Sequence, residues 1–184
     1  MRLILLVFIL ISSLNSMATR YDGRMIKTKN QILFIDEISH RSYSVTGSTP
    51  IISTYLNKLS PGDFISIEGS LNINLTILTI NSVNYIGLKA LLGTWTGDDL
   101  YCYNFSSFTE FSISHFGQGK KCFPAAAPSY TYFVNPTTSS WVMLLAGDRG
   151  SYVGELKINN PKDIEIELYD SETGDILRSI HLRK

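Results

Sequence analysis

Between residues 100 and 182 a turn signal interrupts the chain every ten or so residues, and that spacing leaves room for little except antiparallel β-structure. Strands are predicted over residues 100–105, 108–114, 130–134, 140–146, 151–158, 163–169 and 175–182. The connectors are Asn135-Pro136, Gly147-Asp148-Arg149-Gly150, Asn159-Asn160-Pro161 and Thr173-Gly174-Asp175, all rich in turn formers. Ile164, Ile166 and Leu168 alternate with Glu165 and Glu167, the pattern of a strand with one dry face. Short strands at this interval, joined by tight turns, imply an up-and-down barrel or a sandwich. Ten Tyr and nine Phe, with many Ile, Thr and Ser, favour strands throughout.

The N-terminal half has a different texture. Residues 19–30 are polar and basic, with only Met25 and Ile26 to bury, and are expected to form a loosely held lead-in. Ile32-Leu33-Phe34-Ile35 suits a buried strand, and residues 41–46 alternate before Gly47. Thr49-Pro50 supplies a hydroxyl cap followed by proline at the first helical position. Ile51, Ile52, Tyr55, Leu56 and Leu59 then recur at helical spacing, and Ser60-Pro61-Gly62 ends the run. This predicts one short helix over residues 50–59. Leu71, Ile73, Leu75 and Ile77 alternate, but Leu78, Ile80, Val83 and Tyr85 take the opposite phase, which implies a bulge or turn.

Two resemblances follow. The phrase from Leu59 to Gly69, L-x-x-G-D-F-I-x-I-E-G, with its few strands and single helix, resembles small OB-type barrels over residues 24–90. The Gly93-Thr94-Trp95 opening, followed by antiparallel strands, resembles lipocalin-type (calycin) barrels. That likeness implies that Trp95 plugs one end of a barrel and that Arg178 or Arg183 covers it, a cation–π contact of about 1 kcal/mol. The roughly ninety residues after Trp95 give room for seven strands where that family closes with eight. The expected fold class is therefore all-β, an OB-like part with one helix over 19–90 and a lipocalin-like barrel or sandwich over 91–184.

Residues 1–18 carry the other strong signal. Met1-Arg2 precedes nine unbroken apolar residues from Leu3 to Ile11, and Ser16-Met17-Ala18 puts small residues where a signal peptidase reads. The run is too short to span a bilayer, which takes about 20 apolar residues. No cysteine sits near the cut, so a secreted or periplasmic location is expected, with no membrane span after cleavage. In such a compartment Cys102 and Cys122 are expected to pair, contributing about 3 kcal/mol by loop entropy.

Chemistry is sparse. Lys+Arg and Asp+Glu balance at 16 each, and no long run of one sign occurs, so phosphate affinity and hence nucleic-acid binding are not expected. His40, His115 and His181 lie apart; the only grouping worth naming for a metal is His115 with Cys122 and Asp98 or Asp99, and no metal or cofactor is expected. No Gly-x-Ser-x-Gly elbow exists, and Gly117-Gln118-Gly119-Lys120 lacks the full phosphate-loop spacing. Asn74 and Asn104 begin Asn-x-Ser/Thr triplets, glycan acceptors only in a eukaryotic secretory route. The stretch 115–129, with its glycines, prolines and pinned Cys122, reads as a braced loop among aromatics, where binding function commonly sits.

These features favour a non-catalytic exported binding module for a small apolar ligand or a protein partner. Its candidate contact residues are Trp95, Phe116, Phe123, Tyr130, Tyr132 and Trp141. The alternatives are an extracytoplasmic hydrolase using Asp98, Asp99 or Glu110, and a structural protein of the cell envelope. Amino-terminal sequencing of the exported protein is expected to begin at Thr19; a species retaining Met1 in a membrane fraction would refute the cleavage.

Overall fold

The computed structural model describes residues 18–28, 31–115, 122, 129–137, 139–147, 150–170 and 172–184. Residues 1–17 of the expected 1–18 signal peptide, the 117–120 glycine stretch, Phe116 and Phe123 lie outside the described residues. The chain is all-β with one α-helix among the described residues, arranged as two closed barrels in series.

The first barrel has five strands: β1 (Thr19–Lys27), β2 (Ile32–Asp36), β3 (Ser42–Gly47), β4 (Phe64–Leu71) and β5 (Ile77–Gly87). They close in the order β1-β2-β3-β5-β4, with β3 parallel to β5 and every other pair antiparallel. Met25, Phe34, Ile65, Ile67, Leu78 and Ile80 fill its interior. The expected lead-in at residues 19–30 is instead mostly β1, paired with β4 over Thr19–Arg24 and with β2 over Gly23–Lys27. Its apolar content is low because one inward position is Gly23, where a Cβ would stand 2.6 Å from the Phe34 ring. Backbone pairing, which polar side chains do not reveal, makes this strand.

The helix α1 (Pro50–Lys58) joins β3 to β4. Thr49 Oγ1 accepts from the Ile52 N–H at 3.3 Å, and Ile52 and Leu56 face the core. Ile51, placed by its spacing on the apolar face, is exposed, because in a helix of nine residues only part of that face reaches the barrel. The phase change after Leu71 is a turn: Asn72 Oδ1 accepts from the N–H groups of Thr76 and Ile77. Ile73 and Leu75 therefore stand in solvent at its tip rather than on a strand face.

Asp63 explains the glycine-aspartate phrase before β4. Gly62 adopts φ +91°, a left-handed conformation that favours glycine. The buried Asp63 carboxylate then accepts from the Ser60 N–H at 2.7 Å and the Lys89 N–H at 2.8 Å. It ties the end of the helix to the 3-10 turn Lys89–Leu91 that leaves the barrel.

The second barrel has eight antiparallel strands: β6 (Gly93–Gly97), β7 (Tyr101–Phe105), β8 (Glu110–His115), β9 (Ser129–Pro136), β10 (Trp141–Gly147), β11 (Gly150–Asn160), β12 (Asp163–Tyr169) and β13 (Ile176–Arg183). The count of seven is corrected to eight because the glycine-tryptophan opening is itself a strand, and β13 returns to pair with it. The up-and-down order puts the β6–β7, β8–β9, β10–β11 and β12–β13 connections at one end. The β7–β8, β9–β10 and β11–β12 connections lie at the other, against the first barrel.

The contacts between barrels are specific. The Phe64 and Phe108 rings stack at 5.7 Å, and Tyr85 meets Phe133 edge-on at 6.1 Å. The Tyr85 hydroxyl donates to the Phe108 carbonyl, and the Lys58 ammonium to the carbonyls of Thr137 and Ser140. Gly87 lies under Phe108, whose ring a Cβ would approach to 2.6 Å. Replacing Asp63 by Ala leaves two N–H groups without their acceptor and is expected to cost about 1–3 kcal/mol. Urea unfolding measures this; an unchanged midpoint would remove Asp63 from the account.

Candidate functional site

Alternation along the second barrel sends every other side chain inward, and the two ends of the lumen differ. At the end facing the first barrel the lumen is plugged. Gly93 takes φ +107° as the chain enters β6, and Trp95 follows, fully buried, its Nε1–H donating to the Leu91 carbonyl at 2.6 Å. The Lys184 ammonium sits 4.4 Å from the indole centroid and donates to the carbonyls of Leu92 and Ala90 at 2.7 and 3.2 Å. The covering cation is thus Lys184, not Arg178 or Arg183. Arg183 alternates to the outer face and reaches toward Asp163, and Arg178 lies too far up β13. Tyr132 is buried beside the plug, its hydroxyl donating to the Ser107 carbonyl at 3.0 Å.

Toward the opposite end the lumen opens into a cavity of about 310 Å³. Phe105, Phe111, Met143, Ile166 and Ile180 line its inner part, and Ile113, Tyr130, Leu145, Tyr152, Leu168 and Leu177 its walls toward the mouth. Stacked rings stiffen one side: Phe105 on Phe111 at 5.1 Å, and Phe111 on Tyr130 at 5.2 Å. Arg178 is the one charged residue of the lining, and Tyr103, Tyr130 and Tyr152 add phenol hydroxyls. The Tyr103 and Arg178 side chains meet in one corner.

Those two side chains converge on Asp99 in the β6–β7 turn. Asp99 Oδ2 accepts from the Tyr103 hydroxyl and from Arg178 Nη2, each at 2.6 Å, and Oδ1 accepts from the Tyr101 N–H at 3.1 Å. The Arg178 guanidinium also lies 5.7 Å from the Tyr101 ring centroid. Burial, reinforced by the hydrogen bond and charge of Asp99, pushes the Tyr103 phenol up, so it stays a donor at any physiological pH.

Cys102 on β7 and Cys122 form a disulfide, with Cα atoms 5.7 Å apart. It fastens the β8–β9 connection to the strand that carries Tyr101 and Tyr103 at the mouth. The Cys122 sulfur is therefore not a thiolate ligand, and the His115 ring packs on Tyr101 at 4.3 Å. Among the described residues no three His, Cys, Asp or Glu side chains form a metal-holding group.

Of the six candidate contact residues, Tyr130 lines the cavity, whereas Trp95 and Tyr132 lie beneath it in the plugged end. Trp141 is at the far end, on the cleft between the barrels beside Lys58. Phe116 and Phe123 lie outside the described residues. The three carboxylates considered for hydrolysis have other partners or places: Asp98 accepts from the His181 N–H, its neighbour Asp99 holds Arg178, and Glu110 opens β8 at the plugged end. Asn74 stands exposed on the β4–β5 turn, while Asn104 accepts from Thr94 on the outside of β7.

Sequence reasoning missed Arg178 and Asp99 as a pair, because they are 79 positions apart and only barrel closure joins them. It missed the lining aliphatics because cavity walls and core share one alternating pattern. Comparison with protein-family models, curated proteins and solved structures returns no match for this chain.

Reducing the disulfide, or replacing Cys102 and Cys122 by Ser, is expected to lower stability by about 3 kcal/mol. Thermal melts with and without reductant measure the loss; no shift would mean that the cross-link constrains nothing.

Proposed function

We propose that the protein is an exported, non-catalytic binding module that holds a small apolar ligand in the second barrel. The observation that carries this reading is the cavity at the disulfide-braced mouth: about 310 Å³, walled mostly by aliphatic and aromatic side chains, with one charged side chain, Arg178, held in a corner by Asp99. Ligand sites have this constitution, about 300–1,000 Å³ of mostly apolar wall with a few placed polar groups. The eight-stranded closure and the Trp95 plug under Lys184 support the likeness to lipocalin-type barrels.

Export is part of the same proposal. The disulfide suits an oxidising compartment. Strand β1 begins at Thr19, where cleavage after Ala18 would leave the new amino terminus. In the first barrel the order β1-β2-β3-β5-β4, with its helix between β3 and β4, supports the OB-type likeness. Its role in this reading is to seal the plugged end, and the balanced charge gives it little hold on nucleic acid.

An environment-sensitive apolar dye is expected to brighten on binding the mature protein. Leu168→Trp, which fills part of the cavity wall, should abolish that gain while costing at most about 1–3 kcal/mol of stability. Uptake that is indifferent to this substitution would locate the dye elsewhere and defeat the internal-ligand reading.

A further inference from the structure

The polar corner of the cavity limits which head group a ligand can carry. Asp99 is held by three donors, Tyr103, Arg178 and the Tyr101 N–H. A guanidinium has five N–H donors, and the one hydrogen bond that Arg178 makes to the described residues is to Asp99. Its side chain keeps 46% exposure at the mouth, against 11% for that of Asp99. The corner therefore offers donors that no described residue claims, with no net charge, since one cation and one anion cancel.

From this we infer that the ligand is an amphiphile with a neutral acceptor head, a carbonyl of an ester, amide or ketone, rather than a fatty-acid anion. The inference rests on the apolar-ligand reading and adds the head group to it. A carbonyl oxygen accepts from the free N–H groups of Arg178 and leaves Asp99 in place. A carboxylate must either evict Asp99, stranding the Tyr103 hydroxyl and the Tyr101 N–H, or share Arg178 with it. Sharing brings a second negative charge against the Asp99 carboxylate, which keeps only 11% exposure. The volume sets the tail: about 310 Å³ accommodates about ten methylene-sized groups, at the roughly 30 Å³ a small group such as water occupies in a liquid.

Displacement of the apolar dye from the mature protein by methyl decanoate, decanoate and decane, at about pH 8 where the acid is fully ionised, tests the head group. The ester is expected to bind at least about tenfold more tightly than the acid. Asp99→Asn, which removes the competing charge but keeps an acceptor, should bring the acid level with or ahead of the ester. Arg178→Gln should reduce the ester to the affinity of decane. Acid binding as tightly as ester in the unmodified protein overturns the inference and leaves the apolar-ligand reading standing. A folded Asp99→Asn protein that still discriminates against the acid also overturns it. If ester, acid and decane all fail to displace the dye or to bind, the apolar-ligand reading falls and the inference with it. Because the ester-to-acid ratio is read on the unmodified chain, the test survives a variant that does not fold.

Discussion

The second barrel is closed by a seam of two residue pairs, Leu182 with Gly97 and Arg183 with Thr96. Every other neighbouring pair of strands in that barrel has a longer register. What the backbone lacks there, other groups supply. The Asp98 N–H donates to the His181 carbonyl, the His181 N–H donates to the Asp98 carboxylate, and the Arg178–Asp99 ion pair continues the join to the mouth. Lys184 fastens the other end of the seam to the carbonyls before β6. Without closure there is no lumen, no plug and no cavity, so the short seam governs all three.

The same seam sets a tension within the proposed site. Asp99 and Arg178 are both structural staples and the polar corner of the cavity. A ligand that recruited Asp99 away from Arg178 would loosen the join that encloses it. A ligand that uses only the spare donors would tighten it, because it adds contacts to Arg178 while the staple remains.

Much of the fold was legible in the residues. The single helix could be read because Thr49, Pro50 and Gly62 bracket an apolar face, and the β12 alternation because Ile164, Ile166 and Leu168 stand between glutamates. The disulfide was legible because two cysteines, in a chain expected to be exported, leave one pairing. Strand β1 was not, since its inward glycine hides the period and its order comes from partners on β2 and β4. The site was the least legible part. Phe105, Ile166 and Leu168 carry the same alternation whether they meet a neighbour or empty space, and Asp99 meets Arg178 only through long-range closure. Of the aromatic residues singled out, Trp95 is the plug, Tyr130 is cavity wall and Trp141 lies on the cleft between the barrels.

The placement of the first barrel has a further, purely geometric consequence. It abuts the β7–β8 and β9–β10 connections through Phe64, Tyr85 and Lys58, and so occupies the side of the second barrel away from the mouth. It acts as a pedestal. Whatever surface the outer face of the first barrel rests on, the opening is held off it by the thickness of a whole barrel and directed outward. Shadowing of the mouth by such a support is minimal.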